Sequence, residues 1–167
     1  MKKFLSTIMN GAAIVLSVLL FVFLSQPHIT RDMSITTLNT TGYDMIEHYV
    51  EGNSNQVMIA VSLIFISILA AVIILCAILN ILVNMGIIKN NKVGRIINLV
   101  NIVSSIVMFV FALIAIILVG VEVSDANQLA EISSVGWGLI LNFIISFAMM
   151  IITYLAYRFG PQTKKRK

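Results

Sequence analysis

Residues 52–88 read GNSNQVMIAVSLIFISILAAVIILCAILNILVNMGII, 37 consecutive positions without Asp, Glu, Lys or Arg. A helix needs roughly 20 apolar residues to cross the hydrocarbon core of a bilayer, and this stretch exceeds that length. Three further stretches, 4–30, 96–121 and 132–157, are also free of those four residue types. Each is dense in Ile, Leu, Val, Phe, Ala and Met, and buried helices of soluble domains rarely run so long without a charge. The reading is four transmembrane helices, over Phe4–Leu24, Val57–Leu82, Ile96–Val121 and Val135–Tyr157. The fold class that follows is an all-α integral membrane four-helix bundle forming one membrane domain over residues 1–167.

Composition agrees. The chain is 59% hydrophobic and 11% charged, with a mean hydropathy of +1.02. Soluble domains carry about 45–50% apolar and about 25% charged residues. Disorder is excluded too, because it requires low hydrophobicity with high net charge.

The charges are segregated, and their placement gives an orientation. Lys2 and Lys3 precede the first helix, Lys89, Lys92 and Arg95 join the second to the third, and Arg158, Lys164, Lys165, Arg166 and Lys167 follow the fourth. Lys and Arg concentrate in cytoplasmic loops, so both termini are expected in the cytoplasm. The seven acids, Asp32, Asp44, Glu47, Glu51, Glu122, Asp125 and Glu131, all fall in the other two loops, where Arg31 is the lone basic residue. The net charge of +4 therefore reports topology and attraction to anionic headgroups; nucleic acid is not an expected partner. The start, Met1-Lys2-Lys3 and an apolar run, also has the outline of a signal peptide. Its apolar run exceeds the usual 7–15 residues and no small-x-small cleavage site follows, so retention as an anchor is expected.

The loop Ser25–Gln56 is the one sizeable segment outside the spans. Its Thr- and Ile-rich first part suggests a short hairpin turning near Arg31-Asp32. Thr41-Gly42-Tyr43-Asp44 has the form of a capping box, opening a short amphipathic helix that stops at Gly52. There Tyr43, Ile46, Tyr49 and Val50 are expected on one face, with Asp44, Glu47, His48 and Glu51 largely elsewhere. Such a helix lies on the outer membrane surface or caps the bundle. The expected architecture thus includes a small extracellular cap, hairpin plus helix, between the first two spans. The loops 85–94 and 122–134 are read as short connections, the first inner and the second outer and acidic. Trp137, Tyr154 and Tyr157 fall where aromatic belts form.

Chemistry is conspicuous by what is missing from the spans. Intramembrane charges mark proton relays, ion-coupled transporters and voltage sensors, and the four apolar stretches hold none. Cys76 is the sole cysteine, which excludes an internal disulfide or CxxC redox pair. No Gly-x-Ser-x-Gly, His-Glu-x-x-His or P-loop signature is present. Neither catalysis nor a cofactor is expected. His28, His48, Asp44, Glu47 and Glu51 include one helical-turn pair, Asp44 and His48, but no third ligand at a recognisable spacing, so no metal site is assigned.

Uncharged polar residues do occupy the spans. Asn80 and Asn84 lie four apart near the inner end of the second helix, and Asn98 and Asn101 three apart near the start of the third. Antiparallel pairing brings them to similar depth, where they form either interhelical amide glue, worth about 0.6 kcal/mol per bond, or the lining of a polar pocket. Asn142 in the fourth helix is open to the same two readings. Small residues Gly11, Ala12, Ala13, Ser17, Gly136 and Gly138 permit close helix contact.

Phe23-Leu24-Ser25-Gln26-Pro27, the Thr-rich stretch after it and Thr41-Gly42-Tyr43-Asp44-Met45-Ile46 together resemble small four-span membrane proteins of low-GC Gram-positive bacteria and mollicutes. In these a Phe-Leu-x-Pro-like helix exit precedes a Ser/Thr-Gly-Phe/Tyr-Asp-Leu/Ile element. The resemblance covers about residues 1–60 and implies a multi-pass protein of a bacterial plasma membrane; the glycine that often closes the motif is offset here to Glu51-Gly52. Two functions are expected from the residues. One is a non-catalytic subunit, partner or envelope-stress or immunity-type factor. It docks onto another membrane protein, or onto a second copy of itself, through Tyr43, Asp44, Ile46, Glu47, His48 and Tyr49. The other is a channel or facilitator for a small neutral or lipid-like solute, lined by the four asparagines of the second and third helices.

Overall fold

A computed structural model describes residues 2–32, 37–89, 91–128 and 132–160. In chain order the elements are α1 (Lys2–Leu24), β1 (Pro27–Asp32), β2 (Thr37–Thr41), α2 (Gly42–His48), a single 3-10 turn (Tyr49–Glu51), α3 (Ser54–Asn84), α4 (Asn91–Gln128), β3 (Ile132–Val135) and α5 (Trp137–Phe159). Four helices, α1, α3, α4 and α5, are long and apolar enough to cross a membrane. Helix α3 packs on α1 and α4, and α5 on α1 and α4, which closes a ring of four.

Side-chain contacts make every neighbouring pair antiparallel. The Ser6 hydroxyl near the start of α1 donates to the Ala156 carbonyl near the end of α5. The Asn84 amide at the end of α3 also reaches Ser6. Gln56 at the start of α3 donates to Glu122 late in α4 at 2.8 Å, and Ser105 early in α4 meets Thr153 late in α5. The start of α1, the end of α5, the end of α3 and the start of α4 thus share one end of the bundle, called the termini end below.

The packing pattern is regular. Along α1 the fully buried positions are 6, 10, 13, 17, 20 and 24; along α3 they include 59, 63, 66, 70, 73, 77 and 80. In α4 the series is 98, 101, 105, 108, 112, 115 and 119, and in α5 it is 139, 142, 146, 149, 153 and 156. Alternating steps of three and four give a repeat of 3.5, the spacing that keeps one seam facing its neighbours along a whole helix. Ala13, Ala70, Ala77, Ala112 and Ala115 are completely or almost completely buried in these seams; small residues there let backbones approach closely, which lipid-embedded helices need for van der Waals packing. The large apolar side chains between seams, Val15, Ile68, Leu75, Ile117 and Ile144 among them, point outward and are exposed.

The opposite end is closed by a cap. Strands β1 and β2 form the expected hairpin, whose turn after Asp32 lies outside the described residues. The structure adds a third strand: β3 pairs antiparallel with β1 on its other edge, giving the order β2-β1-β3. Of the stretch 122–134, read from sequence as a connecting loop, the residues up to Gln128 instead continue α4 and those from Ile132 form this strand. The reason is length. A 38-residue helix extends about 57 Å at 1.5 Å per residue, well beyond a hydrocarbon core of about 30 Å, so α4 continues past its apolar stretch. The chain then returns along β1, where Ile29 through Asp32 pair with Val135 through Ile132.

Helix α2 begins as its sequence dictates. Thr41 Oγ1 accepts from the Asp44 backbone N–H at 3.2 Å, and Asp44 Oδ2 accepts from the Thr41 N–H at 2.8 Å. Its faces divide differently from the sequence expectation. Met45 and Tyr49 are buried in the main core and Ile46 packs against it, whereas Tyr43 and Val50 are exposed. Tyr43 lies flat enough for its hydroxyl to donate to the Phe21 carbonyl. The helix is pinned to the bundle end by Met45 and Tyr49.

Two glycines make the cap fit. A Cβ on Gly136 would lie 2.2 Å from the Pro27 carbonyl oxygen, and the Gly136 N–H donates to the His28 carbonyl at 2.8 Å. A Cβ on Gly42 would stand 3.0 Å from the His28 ring. The sheet and α2 both close over one buried histidine.

Candidate functional site

Polar groups inside the bundle fall into two clusters, one under the cap and one in the half that holds the termini. Under the cap, His28 is completely buried. Its Nδ1 lies 2.8 Å from the Gln26 carbonyl oxygen, which can only accept, so Nδ1 carries the proton. Nε2 is then an acceptor, 3.1 Å from Asn142 Nδ2, which donates. A neutral imidazole with a fixed tautomer therefore ties β1 to α5. Burial pushes its pKa below the ordinary 6.5, with the Gln26 carbonyl acting in the opposite sense. Sequence grouped His28 with Asp44, Glu47, His48 and Glu51; the structure separates them, since Glu47, His48 and Glu51 are exposed and His28 faces Asn142. Among the described residues no three His, Cys, Asp or Glu side chains come together as metal ligands.

Tyr49, on the 3-10 turn of the cap, lies near two charged groups, Glu122 and Arg31. Burial pushes its hydroxyl pKa up and Glu122 adds to the effect, while Arg31, which hydrogen-bonds it, opposes. Asp44 titrates below the usual carboxylate range because it accepts hydrogen bonds from the Thr41 backbone and side chain.

The second cluster contains the asparagines singled out by sequence. Asn80, Asn98 and Asn101 are at most 2% exposed, and Asn84 is half-buried. All four occupy the last turns of α3 or the first of α4, at the termini end. Their arrangement differs from mutual amide glue. A bond between two carboxamides needs an oxygen as acceptor, and Oδ1 of all four has no partner. Nδ2 of Asn80 and of Asn101 also lacks one. Asn84 instead donates to Ser6 Oγ of α1 at 3.2 Å.

Sequence reading missed the contribution of α1 to this cluster. Asn10 is completely buried; its Nδ2 donates to the Ser6 carbonyl at 2.8 Å, and its Oδ1 has no partner. Ser17 Oγ, two seam positions further along, is likewise buried and unpartnered. The signal was present as the steps of four, three and four that join Ser6, Asn10, Ala13 and Ser17. On the α4–α5 side the Ser105 and Thr153 hydroxyls lie 2.7 Å apart and one donates to the other, which leaves the accepting hydroxyl's own proton for a backbone carbonyl of its helix. That pair is closed, while the amides of α1, α3 and α4 are open.

The contrast along the axis is chemical. Toward the cap the seams carry Leu20, Leu24, Ile59, Leu63, Val119 and Leu139, all completely or almost completely buried, with Asn142 and Ser146 of α5 as the buried polar members. Toward the termini they carry Ser6, Asn10, Asn80, Asn98 and Asn101, also buried. Native proteins leave few buried polar groups without a partner, and each such group calls for an explanation. Here those of Asn10, Asn80, Asn84, Asn98 and Asn101 gather in one half of the bundle, while Ser17 Oγ lies past the middle of α1 and Arg31 Nε, Ser133 Oγ and Asn142 Oδ1 stand singly toward the cap. Comparison with family models, curated proteins and solved structures finds no match to this chain, so the chemistry of these side chains alone bears on function.

The latch yields a prediction. Replacing Asn142 by Leu leaves a buried Nε2 without a donor and costs about 1–3 kcal/mol of stability. The wild-type latch favours neutral His28, so its contribution is complete above the ordinary pKa of 6.5 and is lost as pH falls through and below it. Chemical unfolding at about pH 8 and about pH 5 will show the gap between wild type and His28→Gln narrowing toward acid; parallel profiles would contradict the assignment.

Proposed function

We propose that this chain is a non-catalytic, multi-pass protein of a bacterial plasma membrane that admits a small neutral solute into the polar half of its bundle. The termini face the cytoplasm in this reading, following the distribution of Lys and Arg. The observation that carries it is the set of buried asparagine oxygens without partners on α1, α3 and α4. A buried carboxamide left unpaired is costly, and several together favour an interior partnered from outside the chain. Spans without Asp, Glu, Lys or Arg in the 96–121 and 132–157 stretches favour an uncharged solute over an ion. The seams are largely apolar toward the cap, so in this reading the solute enters from the opposite end and passage across the membrane requires the cap to move.

A second reading rests on the cap itself. Tyr43, Glu47, His48 and Val50 are exposed on a short helix that Met45 and Tyr49 anchor from below. A rigid surface of this kind suits docking to another membrane protein. Crosslinking from a photoreactive group at Glu47 in native membranes will give a discrete adduct under this reading, and a smear or nothing against it.

Cysteine labelling tests the solute reading. In a Cys76→Ser background, Asn80→Cys and Ile66→Cys place one thiol in each half of the same α3 seam. The cysteine thiolate attacks the sulfenyl sulfur of a thiosulfonate and releases sulfinate, and a thiolate forms only in a polar environment. Asn80→Cys will react with methyl methanethiosulfonate in liposomes while Ile66→Cys resists. Equal protection of both positions would remove the reading.

A further inference from the structure

We propose, building on the solute-admitting reading above, that the polar half selects small neutral molecules richer in N–H donors than in acceptors, the urea and simple carboxamide class. The argument turns on which way the amides point. Ser6 Oγ donates its one proton to the Ala156 carbonyl at 3.1 Å. It can therefore only accept from Asn84, which fixes Nδ2 of Asn84 toward Ser6 and leaves its oxygen unpartnered. Asn10 is fixed in the same way, because its Nδ2 lies 2.8 Å from the Ser6 carbonyl, which can only accept. Two amides from different helices are thus anchored on one serine with both oxygens left over.

Asn98 adds a third unpartnered oxygen, and Asn80 and Asn101 each add one oxygen and one nitrogen. Turning either of the last two over exchanges its ends without changing that sum. The unpartnered set therefore holds five carboxamide oxygens against two amide nitrogens, with Ser17 Oγ able to act either way. An interior with surplus acceptors calls for a guest with surplus donors.

Charge narrows the class further. No carboxylate lies in any of the four apolar stretches to balance a cation. Lys3, Lys89, Lys92, Arg95 and Arg158 all lie at or near helix ends on the termini side, which raises the potential against a cation approaching from there. Surplus acceptors oppose an anion once inside. A neutral guest with more amide nitrogens than oxygens meets each condition, and urea, with two NH2 groups and one carbonyl, complements the acceptor excess.

Saturation-transfer difference NMR of the full chain in nanodiscs tests this, with empty nanodiscs as the blank. Acetamide, acetone and methylammonium each report through a methyl group. Acetamide and acetone share a carbonyl and nearly the same size, and differ in NH2 against CH3. The expected result is an acetamide signal above the blank that falls when urea is added and disappears in the Asn80→Leu, Asn101→Leu double variant. Acetone and methylammonium stay at the blank. Should that variant lose its helicity by circular dichroism, the order of the probes on the wild-type chain decides alone. An acetone signal equal to that of acetamide, or a signal from methylammonium, overturns the donor-rich neutral class while leaving the polar half open to solutes. No signal from any probe also overturns the class, and the reactivity of Asn80→Cys then says independently whether the solute reading survives.

Discussion

Inside a bilayer a polar group has no solvent to fall back on, and every donor and acceptor must find its partner within the protein or in a water-filled space. The four long helices meet this constraint for their backbones by being helices. For their side chains they meet it by placing the asparagines in the 3.5-residue seams and large Ile, Leu, Val and Phe side chains on the outer faces. That arrangement sets the helix spacing through the seam alanines, and it leaves a polar interior at one end. The same constraint is met locally at several points: Ser62 and Ser67 bond the carbonyls of Met58 and Leu63 on their own helix, as Ser146 bonds that of Asn142. The asparagines of α1, α3 and α4 are the exception.

The cap solves a different problem. The apolar ends of α1 and α5 would otherwise meet water, since both helices are 23 residues long against 31 and 38 for α3 and α4. Strands β1 and β3 continue directly from α1 and into α5, so the sheet is tied to the two shorter helices. Met45 and Tyr49 from the α2 segment then cover the core. His28 belongs to both parts, as a residue of β1 held by Asn142 of α5. A neutral imidazole with a donor on one side and an acceptor on the other is suited to this depth, because either nitrogen left unpaired there would be costly.

Much of this is legible in the residues. The four spans follow from charge-free stretches whose lengths are set by membrane thickness, and the capping box of α2 from Thr41 and Asp44 at the right spacing. The hairpin follows from Thr- and Ile-rich alternation. Other features are not readable locally. Strand β3 exists because β1 offers it an edge about a hundred residues away in sequence, and Ile132-Ser133-Ser134-Val135 is too short to announce itself. His28 looked like a loop residue because its burial depends on Gly42 and Gly136 closing over it from distant segments. The asparagine pairs of α3 and α4 were visible as a stripe. That Asn84 turns its nitrogen away and leaves its oxygen free depends on Ser6, whose role emerges only when α1 lies between α3 and α5.

The central claim is that the termini half of the bundle is a polar interior reached from outside, and that the cap half is dry. Magnetisation transfer from water protons to the side-chain amides of the 15N-asparagine-labelled chain in nanodiscs measures this directly. The account predicts transfer to the amides of Asn80 and Asn101 and none to that of Asn142, held by His28 beneath the cap. Asn80 and Asn101 as isolated from water as Asn142 would contradict it.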